Sequence, residues 1–278
     1  MEKAETTQQS CIHISKSQNI NIKGFKLAKA GGDGFLIEGS STDNSSEINI
    51  DNCIVDNNRR NGISLIGGID GVFIRNCKIS NTNGTSPQLG IDIETWSDTL
   101  YNKNIFIENC EFSGNVSGDI TVFENSSNVY MRHNKFEKTI AVKLNDAYKD
   151  NISANPQNIN IEYNIFKDSA KIYFYRANYV SFNIRGNIFN GGNLYLDSDV
   201  GISDEIALKS VMKNITDNIF NNTTEIALYA GQCSNCIIAN NTFNNSLGSV
   251  FGFVGMRNST IKNNRISGYN INGEDSYR

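Results

Sequence analysis

Apolar residues recur along the chain in one register: an apolar position, a gap, a second apolar position, two gaps, a small or polar residue, a gap and a third apolar position. The register is met ten times, first at Ile20–Leu27, Ile48–Val55, Val72–Ile79 and Ile105–Phe112, and last at Cys236–Phe243 and Ser259–Ile266. Its sixth position reads Phe25, Cys53, Cys77, Cys110, Asn134, Asn164, Asn187, Asn218, Asn241 and Asn264, with successive members 23 to 33 residues apart. A period of that length belongs to stacked units that share one core.

Within each copy apolar and polar residues alternate with period two, and Gly, Asn or Ser fills most connections, so the units are strands and not helices. A second strand follows each motif, at Phe35–Ile37, Ile63–Leu65, Ile91–Ile93, Ile120–Val122, Val142–Leu144, Ile172–Phe174, Leu194–Leu196, Ile226–Leu228 and Phe251–Phe253. The expected fold is all-β: a right-handed parallel β-helix, a solenoid of about ten rungs filling residues 1–278 as one domain. Like residues then stack about 4.8 Å apart, and the Cys/Asn column lies buried at a turn, its amides passing hydrogen bonds along the stack.

Two prolines and 23 glycines in 278 residues suit strands that all need ladder hydrogen bonds. The formal charge of −4 leaves no nucleic-acid footprint. No run of about 18 apolar residues predicts membrane insertion, and the polar opening MEKAETTQQS is unlike a signal peptide. Cys53, Cys77 and Cys110 are expected to be buried free thiols. The Cys233/Cys236 pair is read as packing, since Cys236 falls in the inward column headed by Ile20 and no second Cys or His pair accompanies it for zinc. Neither end shows an amphipathic capping helix, and the inward column degrades through Lys213, Cys236 and Ser259. A partner is therefore expected over an end, either as a homotrimer of parallel rods or within a longer chain.

Outward positions separate scaffold from candidate site. On the first strand, Lys23, Asp51, Arg75, Glu108, Arg132, Glu162 and Arg185 alternate in sign down the rungs, a cross-strand ladder with a structural role. Phe73, Phe106 and Tyr130 form a companion aromatic stack for packing or subunit contact. The second strand reads Leu36, Ser64, Asp92, Thr121, Lys143, Tyr173, Tyr195, Ala227, Gly252 in one outward column. The other reads Glu38, Ile66, Glu94, Phe123, Asn145, Tyr175, Asp197, Tyr229, Val254. Acids, amides, a lysine and tyrosines on one face suit sugar, whose rings stack on aromatics and whose hydroxyls pair with carboxylates and amides. Longer repeats add residues at 40–47, 95–103, 146–157 and 197–212. These should pile into a wall beside that face, with Trp96, Tyr101 and Tyr148 in it.

The Asn ladder in the "NIF", "NTF" and "NKF" repeats and the segment NGISLIGGIDGVFIRNCKISNTNGTSPQLGIDIETW at Asn61–Trp96 resemble the pectate-lyase-like superfamily of right-handed parallel β-helices, which includes pectate lyases, polygalacturonases and phage tailspike depolymerases. The resemblance covers nearly the whole chain and implies polysaccharide binding or cleavage, in an extracellular or virion-associated setting. Where polygalacturonases carry Asn-Thr-Asp the chain has Asn81-Thr82-Asn83, the other polygalacturonase motifs and the Trp-x-Asp-His motif of classical pectate lyases are missing, and so the subfamily stays open.

The best local candidate for chemistry is Gly90-Ile91-Asp92-Ile93-Glu94. Residues two apart on a strand face one way, which puts Asp92 and Glu94 about 6.5–7 Å apart at the backbone, a pair able to serve as acid and base in hydrolysis. Asp119, Glu124 and Asp197 lie within a few rungs. Lys143, Asn145, Tyr173, Tyr175, Arg176, Tyr195, Asp197 and Trp96 are the candidate substrate-binding residues. A lyase would instead use Lys143 or Arg176 as base, with Asp92, Glu94 and Asp119 as calcium ligands; otherwise no cofactor is implied. A glycan-binding spike or structural rod is the third alternative.

Overall fold

The computed structural model describes residues 9–97, 99–143, 154–168, 170–197, 211–231 and 233–268. Among these the chain forms three sheets of ten parallel strands, each strand bonded to its counterpart three strands earlier and later. Sheet 1 comprises Ile12–Ser15, Phe35–Glu38, Ile63–Ile66, Leu89–Glu94, Gly118–Val122, Ile140–Val142, Ile172–Phe174, Leu194–Leu196, Leu228–Gly231 and Phe251–Val254. Sheet 2 runs from Gln18–Lys23 to Thr260–Lys262, and sheet 3 from Lys26–Ala28 to Arg265–Ser267. One strand from each makes a rung, and the registers Ile12↔Phe35, Ile20↔Ile48 and Leu27↔Val55 place like on like. This is the parallel β-helix that the repeat predicts.

Alternation decides what faces inward. Ile48 and Ile50, Val72 and Ile74, and Ile105 and Ile107 are fully buried, while Asn49, Phe73 and Phe106 between them and Asp51, Arg75 and Glu108 after them face out. In sheet 3, Phe112, Phe136, Phe166, Phe189, Phe220 and Phe243 stack with ring centroids 4.5–5.2 Å apart, which is the rung spacing itself.

The column at the turn between sheets 2 and 3 is buried, as its composition predicts. Asn164 Oδ1 accepts the Asn134 N–H at 2.8 Å, while Asn164 Nδ2 donates to Met131 O at 2.8 Å and Asn187 Oδ1 at 3.0 Å. The same pattern recurs at Asn187, Asn218 and Asn241. Cys53, Cys77 and Cys110 are buried free thiols. The residue before the column is Asn52, Asn76, Asn109, Asn240 or Asn263 at φ of 52–57°, a left-handed corner that asparagine tolerates. Phe25 departs from the column and is exposed; a slot that holds a thiol or a carboxamide is too small for a phenyl ring.

The expected charge ladder is present, with Lys23–Asp51 at 2.9 Å, Arg75–Glu108 at 3.0 Å and Arg132–Glu162 at 2.8 Å. Phe73, Phe106 and Tyr130 stack at 5.0 and 4.9 Å, with the Arg75 and Arg132 guanidinium groups over Phe73 and Tyr130. The inward column does not open toward the C-terminal rungs at Lys213, which is buried and donates to Ser234 O at 3.0 Å. Cys236 is inward as expected, and a disulfide joins it to buried Cys233, a bond that packing alone does not predict.

Two second strands lie two residues away from their expected positions. The sixth strand of sheet 1 is Ile140–Val142 and not Val142–Leu144, so Ala141 and not Lys143 pairs with Thr121 and Tyr173. The ninth is Leu228–Gly231 and not Ile226–Leu228, so Tyr229 and not Ala227 pairs with Tyr195. Both slips preserve which residues face inward, so the apolar pattern cannot distinguish the two registers.

Candidate functional site

Ile91 and Ile93 point into the core and are fully buried, which forces Asp92 and Glu94 onto the outer face of sheet 1. There they stand at one end of a groove of about 410 Å³ that runs along the helix axis. Below Asp92 the register places Thr121, Ala141, Tyr173, Tyr195 and Tyr229 in consecutive rungs. Thr121 and Ala141 are small, so the floor dips between the acids and the tyrosines. Lys143 follows Val142 and donates its N–H to Val122 O, while Tyr175 N–H donates to Val142 O. Lys143 therefore takes the Glu94 and Tyr175 column, the place expected for Asn145, which lies outside the described residues.

The corner before sheet 1 supplies the groups that hold the acids. Leu89 N–H donates to Asn61 Oδ1 at 3.0 Å, which orients the Asn61 amide. Asn61 Nδ2 then donates to Ser64 Oγ at 3.0 Å and to Asp92 Oδ2 at 3.3 Å. Asp92 is 1% exposed, and its Oδ1 has no hydrogen-bond partner among the described residues. Burial, and then the Glu94 charge, push the Asp92 pKa up to about 8. Arg60 reaches Asp33 Oδ2 and Glu94 Oε1, both at 3.5 Å. Burial raises the Glu94 pKa as well, opposed by Arg60 and aided by Glu124 and Asp33.

At the far end Lys143 Nζ sits over the Tyr175 ring, 5.3 Å from its centroid. Tyr173 donates its hydroxyl to Asp197 Oδ2 at 2.8 Å. The rings of Tyr173, Tyr195 and Tyr229 lie nearly parallel, at 5.8 and 4.6 Å. Lys171 also lines the groove and is ion-paired to Glu225 at 3.1 Å.

Of the sequence-predicted residues, the groove thus gathers Asp92, Glu94, Lys143, Tyr173 and Tyr175, with Asp197 and Tyr195 beside it. Arg176 is buried at φ 58° where a short 3-10 turn, Ala177–Tyr179, begins. Trp96 is 69% exposed and, like Tyr101, does not line the groove; Tyr148 lies outside the described residues. Connections from sheet 1 to sheet 2 are long where expected, from Glu38 to Ser45 and from Glu94 to Asn102. No described residue of the insertions at 40–47 and 95–103 lines the groove, so the expected wall is not there; the groove's wall comes from the opposite corner, through Pro87, Leu89, Ser117 and Thr139. Asp119 turns away from the face: Asn115 Nδ2 donates to its Oδ1 at 3.0 Å, and Glu137 and Lys138 N–H groups to its Oδ2 at 2.8 and 2.7 Å. No group of three His, Cys, Asp or Glu side chains able to hold a metal ion occurs among the described residues, so Asp92, Glu94 and Asp119 do not come together as the calcium set a lyase would use.

Sequence reasoning misses Arg60, Asn61 and Asp33. The signal available is Arg59-Arg60-Asn61-Gly62, two cations and an amide immediately before the strand that neighbours Asp92; that Arg60 reaches Glu94 follows only from stacking.

Residues 10–205 match the family model described as right handed beta helix region. The chain is also 28% identical over 261 residues to the uncharacterized protein YclG of Bacillus subtilis (strain 168), an alignment covering 88% of this chain and 42% of that protein. It therefore spans less than half the length of this relative.

Proposed function

The chain belongs to the right-handed β-helix family, and from that footing we propose that it hydrolyses glycosidic bonds of a polysaccharide laid along the outer face of sheet 1. The observation that carries this reading is a pair of carboxyl groups, two residues apart on one strand, in unlike surroundings, Asp92 buried and Glu94 beside Arg60, at one end of a groove with tyrosines at the other. With its pKa near 8, Asp92 keeps a proton at neutral pH. Asn61 donates to Oδ2, which leaves that proton on Oδ1, a buried oxygen without a partner among the described residues; in this reading the Asp92 side chain turns toward the groove to give the proton to a glycosidic oxygen. Glu94 is ion-paired to Arg60, which favours its carboxylate as the base that activates water. Inversion requires the two carboxyl groups to stand about 6.5–9.5 Å apart, far enough to admit that water.

Asp92→Asn and Glu94→Gln should each lower turnover by roughly 10²–10⁴-fold while retaining fold and glycan binding, because an amide keeps the shape but cannot transfer the proton. Turnover should also decline as pH rises through about 8, where Asp92 loses its proton. Full activity in both variants sinks the assignment.

Lys143, in the same groove, favours a second reading in which it abstracts the proton beside a uronate carboxylate. Products absorbing as unsaturated sugars select that lyase; new reducing ends without such absorbance select hydrolysis. Binding with neither makes the chain a glycan-binding rod.

A further inference from the structure

The groove ends at its acids. Its lining begins in the fourth rung, at Pro87, Leu89, Asp92 and Glu94, and continues only toward the later rungs, to Lys171, Tyr173 and Tyr175. In the third rung the outward residue directly paired with Asp92 is Ser64, and it is fully buried under the Asn61 amide. Arg60 spans the same place, from Asp33 at the start of the second rung's strand to Glu94 in the fourth. Its Asp33 partner is buried and accepts the Asn61 N–H at 3.0 Å, so the plug is anchored to backbone on one side and to the candidate base on the other. In the opposite direction the face continues among the described residues, through small Thr121 and Ala141 to the tyrosine file Tyr173, Tyr195 and Tyr229, which extends it to the ninth rung. From the acids to that rung is five spacings, about 24 Å.

Resting on the hydrolytic reading above, we infer that Arg60 blocks the groove beyond the acid pair and makes the protein act on chain ends. A polymer lies with its body over the tyrosines and its terminal sugar against Arg60. A chain passing straight through has no path, because the space it needs is filled by Arg60, Asn61 and Ser64. Cleavage therefore falls at a set distance from one terminus, and a short product leaves before the chain advances.

The test uses homogalacturonan, alginate, xylan and dextran oligosaccharides longer than the groove, labelled at the reducing end, with cut positions read by mass spectrometry from the first turnovers. The expected wild-type result is one product size from one terminus and no cut when that terminus carries a bulky block. Because Arg60 also pairs with the candidate base, its removal is read by binding and not by turnover: Arg60→Ser in the Asp92→Asn background should bind blocked chains as well as free ones. Mixed internal cuts by the wild-type protein overturn the inference while leaving the hydrolytic reading in place. Binding of the same free and blocked chains to Asp92→Asn separates the two readings. Preference for free ends without cutting by the wild-type protein sinks hydrolysis and keeps the closed end, whereas equal binding of both sinks the closed end. Failure to bind or cut any of the four overturns both.

Discussion

Lys213 occupies the inward column of sheet 2, paired in register with Phe182 on one side and Cys236 on the other, and is 1% exposed. Its ammonium donates to two backbone carbonyls, Ser234 O at 3.0 Å and Val211 O at 3.4 Å. Burial lowers its pKa from 10.5 to about 8, the direction desolvation imposes on a cation. Between about pH 8 and 10.5 the unfolded chain holds a proton that the folded chain has released, so this group adds stability as pH rises through that window and costs stability below it. Lys213→Met keeps the length of the stem and removes the charge. Relief of the buried charge is worth about 2–3 kcal/mol at pH 7, offset in part by the Ser234 carbonyl that loses its donor, so stability should rise by about 1 kcal/mol at pH 7 with the gain lost as pH rises above 8; urea unfolding at pH 7 and pH 10 measures both.

Among elements, the asparagine file at the sheet 2 to sheet 3 turn does work that a hydrophobic column cannot. Asn187 Oδ1 accepts the buried Asn164 N–H at 2.9 Å, and its Nδ2 donates to Ile161 O at 2.8 Å and Asn218 Oδ1 at 3.0 Å. Truncation to alanine orphans a buried N–H and a buried carbonyl at once, each costing about 1–3 kcal/mol. Asn187→Ala should therefore destabilise by roughly 2–6 kcal/mol. A second file, Asn190, Asn221 and Asn244, repeats the amide spacing at 3.1 and 3.0 Å on the outside of sheet 3. Water replaces those bonds, so Asn221→Ala should cost under about 1 kcal/mol. Equal losses in denaturant midpoints for the two variants would show that the inner file is not the stronger one.

At the scale of the molecule, each rung touches only its neighbours, so stability is a sum of rung terms and nearest-neighbour interfaces. Burial is uneven along that sum. Ile238 and Phe243 of the ninth rung are fully buried, whereas Ile261 and Ile266, directly paired with them in the tenth, are 47% and 51% exposed. Less apolar area leaves water there, and local opening follows burial. Amide exchange at Ile261 should therefore be faster than at Ile107 and Ile161 by orders of magnitude; uniform protection across the ten rungs would argue for a single cooperative unit.

Alternation with period two and a repeat of about 23 residues were enough to establish the β-helix, its inward columns, the buried Cys/Asn turn and the outward placing of Asp92 and Glu94. Each of these depends on a local rule, that neighbouring side chains on a strand point to opposite faces. The exact stacking was decided elsewhere. A strand that slips by two residues keeps every face, so only the packed rungs chose Ala141 and Tyr229 over Lys143 and Ala227, and moved Lys143 into the column read for Asn145. The surroundings of the acids were likewise beyond local rules. Arg60 and Glu94 are separated by more than a full turn of the solenoid, and the burial that lifts the Asp92 proton affinity comes from corners of different rungs. Side-chain direction is written residue by residue; desolvation and closure of a groove arise only when the turns are stacked.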